Sequence, residues 1–555
     1  MQAKILDTIL EVLGIPDAKI DRNEDLQFGD YKTNVAMILA KKEGRNPVEV
    51  AKEIVSKINS GIFEKVEVAG PGFINFYLKK EFIGEILSLT GTPAFYDRLT
   101  EYGKGKTVVI DYSAPNIAKS FGIGHLRSTN IGQAIYNTYK TLGWKTIGDN
   151  HIGDWGTQFG KLIVAIKKYN TKPTNELSIL DLENLYIEFH KKAETETGLV
   201  DEARDWFSKL EKGDAEAREI WQKCIDISFV EYEKVYKLLG VKIDNVHGES
   251  FYEELMPGVI EECKKKEICK VGEGGALIVE FPDMPPAMLV KSNGTTTYFT
   301  RDLATILYRK DAWKPDMVVY EVGADQILHF RQLFSTAKRL GWWPEIGMEH
   351  VAHGLIRWKG GKFSTRKGDT IHLSEVIEKA MEEAKNISEK AHVQKHSAEE
   401  NSSVIKAIAM GAIKFADMMS DPRKDIVFDW DRVMSVDGDS GPYVQYTYAR
   451  CRSLLTKAEV KPAEKIDIKI SKTEEKLLRM LFALEEKILE SATRYSPSVL
   501  CTYALQISRT FNEFYGTTQI LGQAETASRL FLVEHTAEVL RNCMNLLGIT
   551  PVEVL

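Results

Sequence analysis

Cysteine is sparse: six residues in 555, at positions 224, 263, 269, 451, 501 and 543. No two form a C-x-x-C pair, so neither a zinc ribbon nor a dithiol redox motif is signalled, and no metal site is expected. Scattered thiols in a long chain fit a reducing compartment, where they act as small buried hydrophobes. Long apolar runs are missing too, and none approaches the ~20 residues that span a bilayer. Residues 1–12 lack a cationic start followed by an apolar stretch. Ile5, Ile9 and Val12 instead form one stripe of an amphipathic helix, unlike a secretory leader. The expected location is cytoplasmic, with no membrane contact. Positive charge is not in excess: 73 Lys and Arg against 80 Asp and Glu give −7. This excludes a protein that coats nucleic acid through bulk charge, while a local basic patch stays compatible with RNA binding. There is no internal repeat and no low-complexity tract, which removes solenoids and repeat arrays.

What is present is an ordinary globular composition, 43% hydrophobic and 28% charged. At roughly 100–200 residues per domain, the length predicts about three or four domains. The first unit, 1–103, carries helical patterning over 34–58. A strand at 65–69, a tight Gly70-Pro71-Gly72 turn and an alternating strand at 73–78 follow. The second, 104–375, alternates strands and helices and predicts an α/β sheet. Residues 107–112 are an apolar run typical of a buried parallel strand. A helix bearing Ile131, Ile135, Tyr139 and Leu142 then stops at Gly143. Further strands are expected at 276–281, 317–321 and 350–356, and a helix at 326–340. Residues 170–245 are charged, helix-patterned and read as an insertion. Asn293-Gly294 predicts a hairpin between 288–290 and 295–300. From 376 onward the pattern is helical without notable strands. It divides into a connecting region, 376–435, and a terminal domain, 436–555, with an exposed connection at 459–471.

Chemistry concentrates in two loops. Residues 113–125, Ser-Ala-Pro-Asn-Ile-Ala-Lys-Ser-Phe-Gly-Ile-Gly-His, lie between the first sheet strand and its helix, where an α/β sheet places ligands. A helix N-terminus offers free N–H groups and partial positive charge to phosphate. Gly122 and Gly124 let a ligand approach the backbone, and Lys119 and His125 add donors. Residues 359–368, Lys-Gly-Gly-Lys-Phe-Ser-Thr-Arg-Lys-Gly, form a cationic loop after a strand, suited to closing over a polyanion.

In this order the loops resemble the H-I-G-H and K-M-S-K-S signatures of class I aminoacyl-tRNA synthetases. Gly122 stands where the first histidine is usual. Lys362, Phe363, Ser364, Thr365 and Arg366 fill the second signature, with Thr365 for its second lysine. The arginyl subfamily commonly shows a K-M-S-T-R form with a lysine ahead of the first signature, here Lys119. The resemblance implies that Pro115, Gly122, Gly124, His125 and Phe363 bind ATP. It implies that Lys119, His125, Lys362, Ser364 and Arg366 serve catalysis on the phosphates.

An arginine substrate needs carboxylates and neutral acceptors for its five-donor guanidinium. Residues 111–116, 297–304 and 322–330 resemble the arginyl family closely, and 150–160 are similar to it as well. They imply a pocket of Asp111, Asn116, Tyr298, Asp302 and Gln326, with Asp302 on the guanidinium. Residues 28–31 and 69–73 resemble that family's N-terminal domain, which contacts the tRNA elbow. Residues 428–432, 440–450 and 545–549 resemble its helical anticodon-binding domain. There Tyr443, Tyr446, Tyr448 and Arg450 are RNA-contact candidates, and each tyrosine also suits a helix core.

The implied fold is a Rossmann-like parallel-sheet catalytic domain with a helical insertion, an α+β N-terminal domain and an all-α C-terminal domain. The implied reaction joins L-arginine to tRNA(Arg) through arginyl-adenylate, using ATP with Mg²⁺, in a monomer. Two other readings stay open: another class I specificity, and a tRNA-binding paralogue with weakened catalysis, which Gly122 motivates.

Overall fold

The computed structural model describes residues 19–23, 25–58, 61–342, 347–358, 372–390, 398–466 and 469–554. The expected helix at the start of the chain and the loop 359–368 lie outside the described residues.

The first unit is an antiparallel sheet of β1 (Ile20–Arg22), β2 (Tyr31–Thr33), β3 (Phe63–Ala69) and β4 (Phe73–Leu78), in the order β1-β2-β4-β3. The β3–β4 turn needs Gly72, whose φ is +119° and whose Cβ would lie 2.9 Å from Pro47 Cβ. The helical pattern over 34–58 resolves into two helices, Val35–Glu43 and Pro47–Lys57. Gly44 ends the first in the left-handed region. Asn46 caps the second, with Pro47 as its first residue.

The second unit is built on five parallel strands in the order β12-β11-β5-β6-β7. They are β5 (Thr107–Asp111), β6 (Lys145–Asn150), β7 (Asn245–Val246), β11 (Met317–Gly323) and β12 (Met348–His353). Val108, Val109 and Ile110 are wholly buried, as a strand covered on both faces must be. Successive strands run outward from β5 on one side, and the chain then returns to its other side with β11. β5 is therefore the switch point, where the loops leaving the strand ends part and open a crevice. The expected insertion is helical, with Ile179–Ala193, Leu199–Glu211 and Ala215–Leu239 packed on Thr157–Tyr169. A small antiparallel sheet of β8 (Cys269–Val271), β9 (Leu277–Val279) and β10 (Ala287–Val290) packs against the helices Met256–Lys265 and Tyr298–Trp313.

Three expectations are corrected. The Asn293-Gly294 turn forms, but its return arm is only the Val290–Thr296 bridge. Residues 298–300 instead begin the helix Tyr298–Trp313, because Phe299, Leu303 and Ile306 share one buried face. The strand expected at 350–356 ends at His353. Gly354 packs against the backbone of Lys424 and Asp425, and β13 (Ile356–Trp358) follows. β13 pairs in parallel with β14 (Ile426–Phe428), a strand inside a region read as helical. Three residues are too few to show a period, and β14 exists because β13 supplies its ladder.

Otherwise the chain after residue 372 is helical. Ala398–Met418 and Gly441–Lys457 approach closely where Gly411 meets Gly441. Leu500, Phe511, Phe514 and Leu540 are among the wholly buried residues of the terminal core. The N-terminal sheet docks on this end through Arg479, whose Nη1 donates to Asp30 Oδ2 at 2.6 Å and to the Leu78 carbonyl at 3.2 Å. None of the six cysteines is in a disulfide. Among the described residues no helix is long and apolar enough to cross a membrane.

Candidate active site

β5 ends at Asp111, and the chain then turns through Ser113, Ala114 and Ala118, with φ of 77°, 44° and 62°. Left-handed conformations in non-glycine residues are costly and persist only where the surroundings over-determine them. Here the Ser113 amide donates to Ser128 Oγ at 2.9 Å, and Ser113 Oγ meets Thr129 and Tyr236 hydroxyls at 2.9 and 2.8 Å. The Ala114 amide donates to Asn150 Oδ1 at 2.9 Å, and the Ala118 amide to Ser228 Oγ at 2.9 Å. Tyr232 OH donates to the Asn116 and Lys119 carbonyls at 2.5 and 3.0 Å. The insertion helix Ala215–Leu239 supplies Ser228, Tyr232 and Tyr236, so one function of the insertion is to hold this loop.

Gly122 is the N-cap of the helix Ile123–Thr141. Its amide donates to His125 Nδ1 at 3.2 Å, so a neutral His125 carries its proton on Nε2 and presents a donor there. Burial, then the charges of Lys119 and His353, push His125 down to about 4 and keep the ring neutral. Lys119 lies 6.0 Å from the Tyr186 ring centre. Arg127 fixes the signature helix to Ala398–Met418 through Asp417, Nε to Oδ1 at 3.0 Å, with both side chains buried. The first signature meets the start of the helix Leu373–Lys390: Gly122 bridges His372, and the Leu373 amide donates to the Phe121 carbonyl at 3.1 Å. Lys362, Phe363, Ser364 and Arg366 themselves lie outside the described residues.

Beside this loop, the switch point collects charge. Arg309 is wholly buried and donates to Asp111 Oδ2 at 2.7 Å and to Asp149 Oδ2 at 2.7 and 3.0 Å. Asp149 also meets His247 Nδ1 at 3.1 Å. Asp302 accepts from His329 Nε2 at 2.6 Å and pairs with His151 Nε2 at 3.5 Å. Arg301 pairs with Glu249 and Glu253 at 3.2 and 3.0 Å and lies 5.6 Å from the Tyr298 ring centre. Burial would raise Asp302, but hydrogen bonds from His151 and His329 hold it well below the carboxylate range. Burial raises Asp111 despite Arg309. Burial pushes Glu249 up to about 7 against the pull of Arg301.

Of the residues expected to bind the substrate, Asp111 and Asp302 are joined by their common neighbour His151. Asn116 bridges Gly153 alongside Pro115, and Tyr298 stands exposed at the rim. Gln326 caps the helix Ile327–Arg339 that carries His329. Sequence reasoning did not assign Asp149, His151, Glu249, Arg309 or His329. Two signals could have found some of them. Asp149 and His151 fall at the carboxyl end of the strand beside the switch point. Arg309 lies seven residues after Asp302, on the same helix face.

The helical end is less open than its aromatic run suggested. Tyr448 is buried and donates to Glu553 at 2.6 Å, so it belongs to the core. The Arg450 guanidinium lies 4.7 Å from both the Tyr446 and Tyr515 ring centres.

Residues 95–430 match the family model described as tRNA synthetases class I (R), catalytic domain. Residues 444–555 match the DALR anticodon binding domain, and 1–78 the arginyl tRNA synthetase N terminal domain. An arginine--tRNA ligase of Clostridium kluyveri is 39% identical over 95% of this chain and 94% of its own length. One of Clostridium botulinum is 38% identical over 99% and 96%. The arginyl-tRNA synthetase structure from Plasmodium falciparum superposes with a TM-score of 0.81 at 26% identity, covering 99% of this chain and 97% of that one. The Thermus thermophilus enzyme shares the fold at a TM-score of 0.83 and 23% identity, each chain fully covered.

Proposed function

Because this chain belongs to the arginyl-tRNA synthetases of class I, we propose that its switch-point crevice is where arginine is activated and passed to tRNA. The chain is an arginine--tRNA ligase: it joins L-arginine to tRNA(Arg) and consumes ATP. The observation that supports the site assignment is the cluster at the carboxyl end of β5, where His151 is the common neighbour of Asp111 and Asp302 and the loop from Asp111 leads into the first signature.

In this reading, ATP enters as its Mg²⁺ complex. The backbone at Pro115, Gly122 and Gly124 lies along the nucleotide. His125 Nε2–H and Lys119 meet the phosphates, and the loop bearing Lys362, Phe363, Ser364 and Arg366 closes over them. Asp302 takes the guanidinium by charge-assisted hydrogen bonds. Asp111 and Asn116 take the α-ammonium end, with Tyr298 and Gln326 at the rim. The arginine carboxylate attacks the α-phosphate in line and pyrophosphate leaves; the terminal ribose hydroxyl of tRNA then attacks the arginyl-adenylate carbonyl, takes the arginyl group and releases AMP. The protein contributes placement and electrostatics, and no covalent nucleophile. Gly122 fits this scheme. The position of the missing histidine is the N-cap of the signature helix, and measurable adenylate formation would remove the weakened-paralogue reading that Gly122 motivates.

The units we assign are 1–103 for the tRNA elbow, 104–375 for catalysis, 376–435 as connection and 436–555 for the anticodon, in a cytoplasmic monomer. Charging of tRNA with radiolabelled arginine, ATP and Mg²⁺, with lysine and citrulline as controls, tests the reading. Arginine-only charging is expected, and charging of neither arginine nor its analogues would overturn it. Pyrophosphate exchange without tRNA tests whether activation waits for tRNA, and fast exchange would remove that requirement.

A further inference from the structure

His151 has two ring nitrogens and meets acceptors with both. Nδ1 lies 3.2 Å from the His247 carbonyl oxygen, and Nε2 lies 3.5 Å from Asp302 Oδ1. A neutral imidazole has only one N–H and would turn a lone pair toward one of these oxygens, so this geometry suits the doubly protonated ring. The same Asp302 carboxylate accepts a hydrogen bond from His329 Nε2 at 2.6 Å. The residue read as the guanidinium acceptor is thus already held by a cation of the protein's own.

We propose that His151 is the resident counter-ion of the arginine pocket, and that substrate arginine enters by ion exchange, releasing one proton. The inference rests on the reading of Asp302 as the guanidinium contact. The balance is simple. Protonated His151 and free cationic arginine become neutral His151, bound cationic arginine and one proton in solvent. No covalent bond other than N–H breaks. Once neutral, His151 keeps Nδ1–H on the His247 carbonyl and turns Nε2 into an acceptor, the group a guanidinium N–H requires. Two cations beside one buried carboxylate would repel, and shedding a proton is the least costly relief.

The groups facing His151 support this. Asp111 lies on β5. Asp302 and Arg309 come from Tyr298–Trp313, and Asp154 from His151's own loop. Glu249 and the Tyr252 ring, 5.3 Å away, come from Glu249–Leu255, and His329 lies across Asp302 on Ile327–Arg339. Burial disfavours the charged ring, but the Asp302 hydrogen bond and the Asp111 charge outweigh it and raise His151 to about 9. An incoming guanidinium cancels the Asp302 share of that support. Glu249 and His329 are the competing proton sources: Glu249 is set apart by its value of about 7, and His329, which Asp302 also raises, by a His329→Gln variant that should keep the release. At pH 8 Glu249 is mostly ionised while His151 is mostly protonated.

Calorimetric titration of the full chain with L-arginine at pH 8, in two buffers of different ionisation enthalpy, reads the proton directly. About one proton released is expected, with arginine affinity rising by up to about tenfold per pH unit below pH 9. His151→Gln should abolish the release and flatten the pH dependence, whereas Glu249→Gln should keep both. The pH profile of kcat/KM for arginine gives the same slopes without calorimetry. No release by the native protein, or equal release by His151→Gln, overturns the proposal. If Asp302→Asn leaves arginine affinity unchanged, the pocket assignment fails and the exchange with it. If Asp302→Asn weakens binding and the native protein releases no proton, the pocket stands and ion exchange alone is wrong.

Discussion

Arg479 and Arg309 are both buried against aspartate, in different surroundings. Arg479 sits in the seam between the N-terminal sheet and the terminal helices. It donates to Asp30, to the Leu78 carbonyl and to Glu475, using all three of its nitrogens. Arg309, under the switch point, uses Nε and Nη2 on Asp111 and Asp149 and leaves Nη1 buried without a hydrogen-bond partner. Asp111 Oδ1, Tyr252 OH and Tyr320 OH are left the same way. The seam leaves Asp30 Oδ1 in that state too, but its arginine is fully used and holds two units together. The switch-point cluster leaves more polar atoms without partners, one of its arginine's nitrogens among them, and keeps them available at a loss of stability.

The sharpest way to break this comparison is Asp302→Ala. We expect kcat/KM for arginine to fall by roughly 10²–10³-fold, the effect of stripping a charge-assisted contact worth about 3–4 kcal/mol. The thermal midpoint should fall as well at pH 7, because His151 and His329 lose the carboxylate that raises them, but by less than loss of the seam arginine causes. A large fall in the midpoint would make the pocket as structural as the seam. Arg479→Met should do the reverse. It leaves Asp30 buried without its cation and destabilises by about 3–5 kcal/mol in denaturant titration, while kcat of the folded fraction persists. A smaller effect on catalysis is expected from Gly153→Ala. Its new Cβ would collide with Asn116 Oδ1, and arginine KM should rise by about tenfold for a displacement of about 1 Å; an unchanged KM would remove Asn116 from the pocket.

The pH dependence of stability sharpens the contrast further. His151 is raised in the folded chain, so its contribution is full below its unfolded value near 6.5 and is lost as pH rises through about 9. The native midpoint should therefore fall between pH 7 and 9, and His151→Gln should shrink that fall; equal falls would show that other groups dominate. The smallest effect belongs to Asn46→Ala, away from both clusters. Asn46 Oδ1 accepts the Val48 amide at 2.9 Å, and losing this cap should cost about 1 kcal/mol with no change in charging.

Much of this was readable without coordinates because it is local. The apolar run of β5, the glycines and histidine of 122–125, the cationic loop after β13 and the charged insertion each announce themselves within a dozen residues. Composition and spacing were enough to predict a parallel sheet with a helical end. The arginyl resemblance then added named pocket residues from short contiguous segments. β14 was missed because three residues carry no period, and the helix start at Tyr298 was missed because a turn signal outweighed the buried face that follows.

The partners of the buried charges were decided only in three dimensions. His151 and Asp302 are separated by 151 positions and Arg309 and Asp111 by 198, and no periodicity links them. Their meeting depends on the register of β5, β6 and β11 and on the helix that crosses behind them. Side-chain period and turn chemistry act between near neighbours, so a sequence determines them alone. The protonation of a buried histidine depends on which oxygens surround it, and folding alone chooses those.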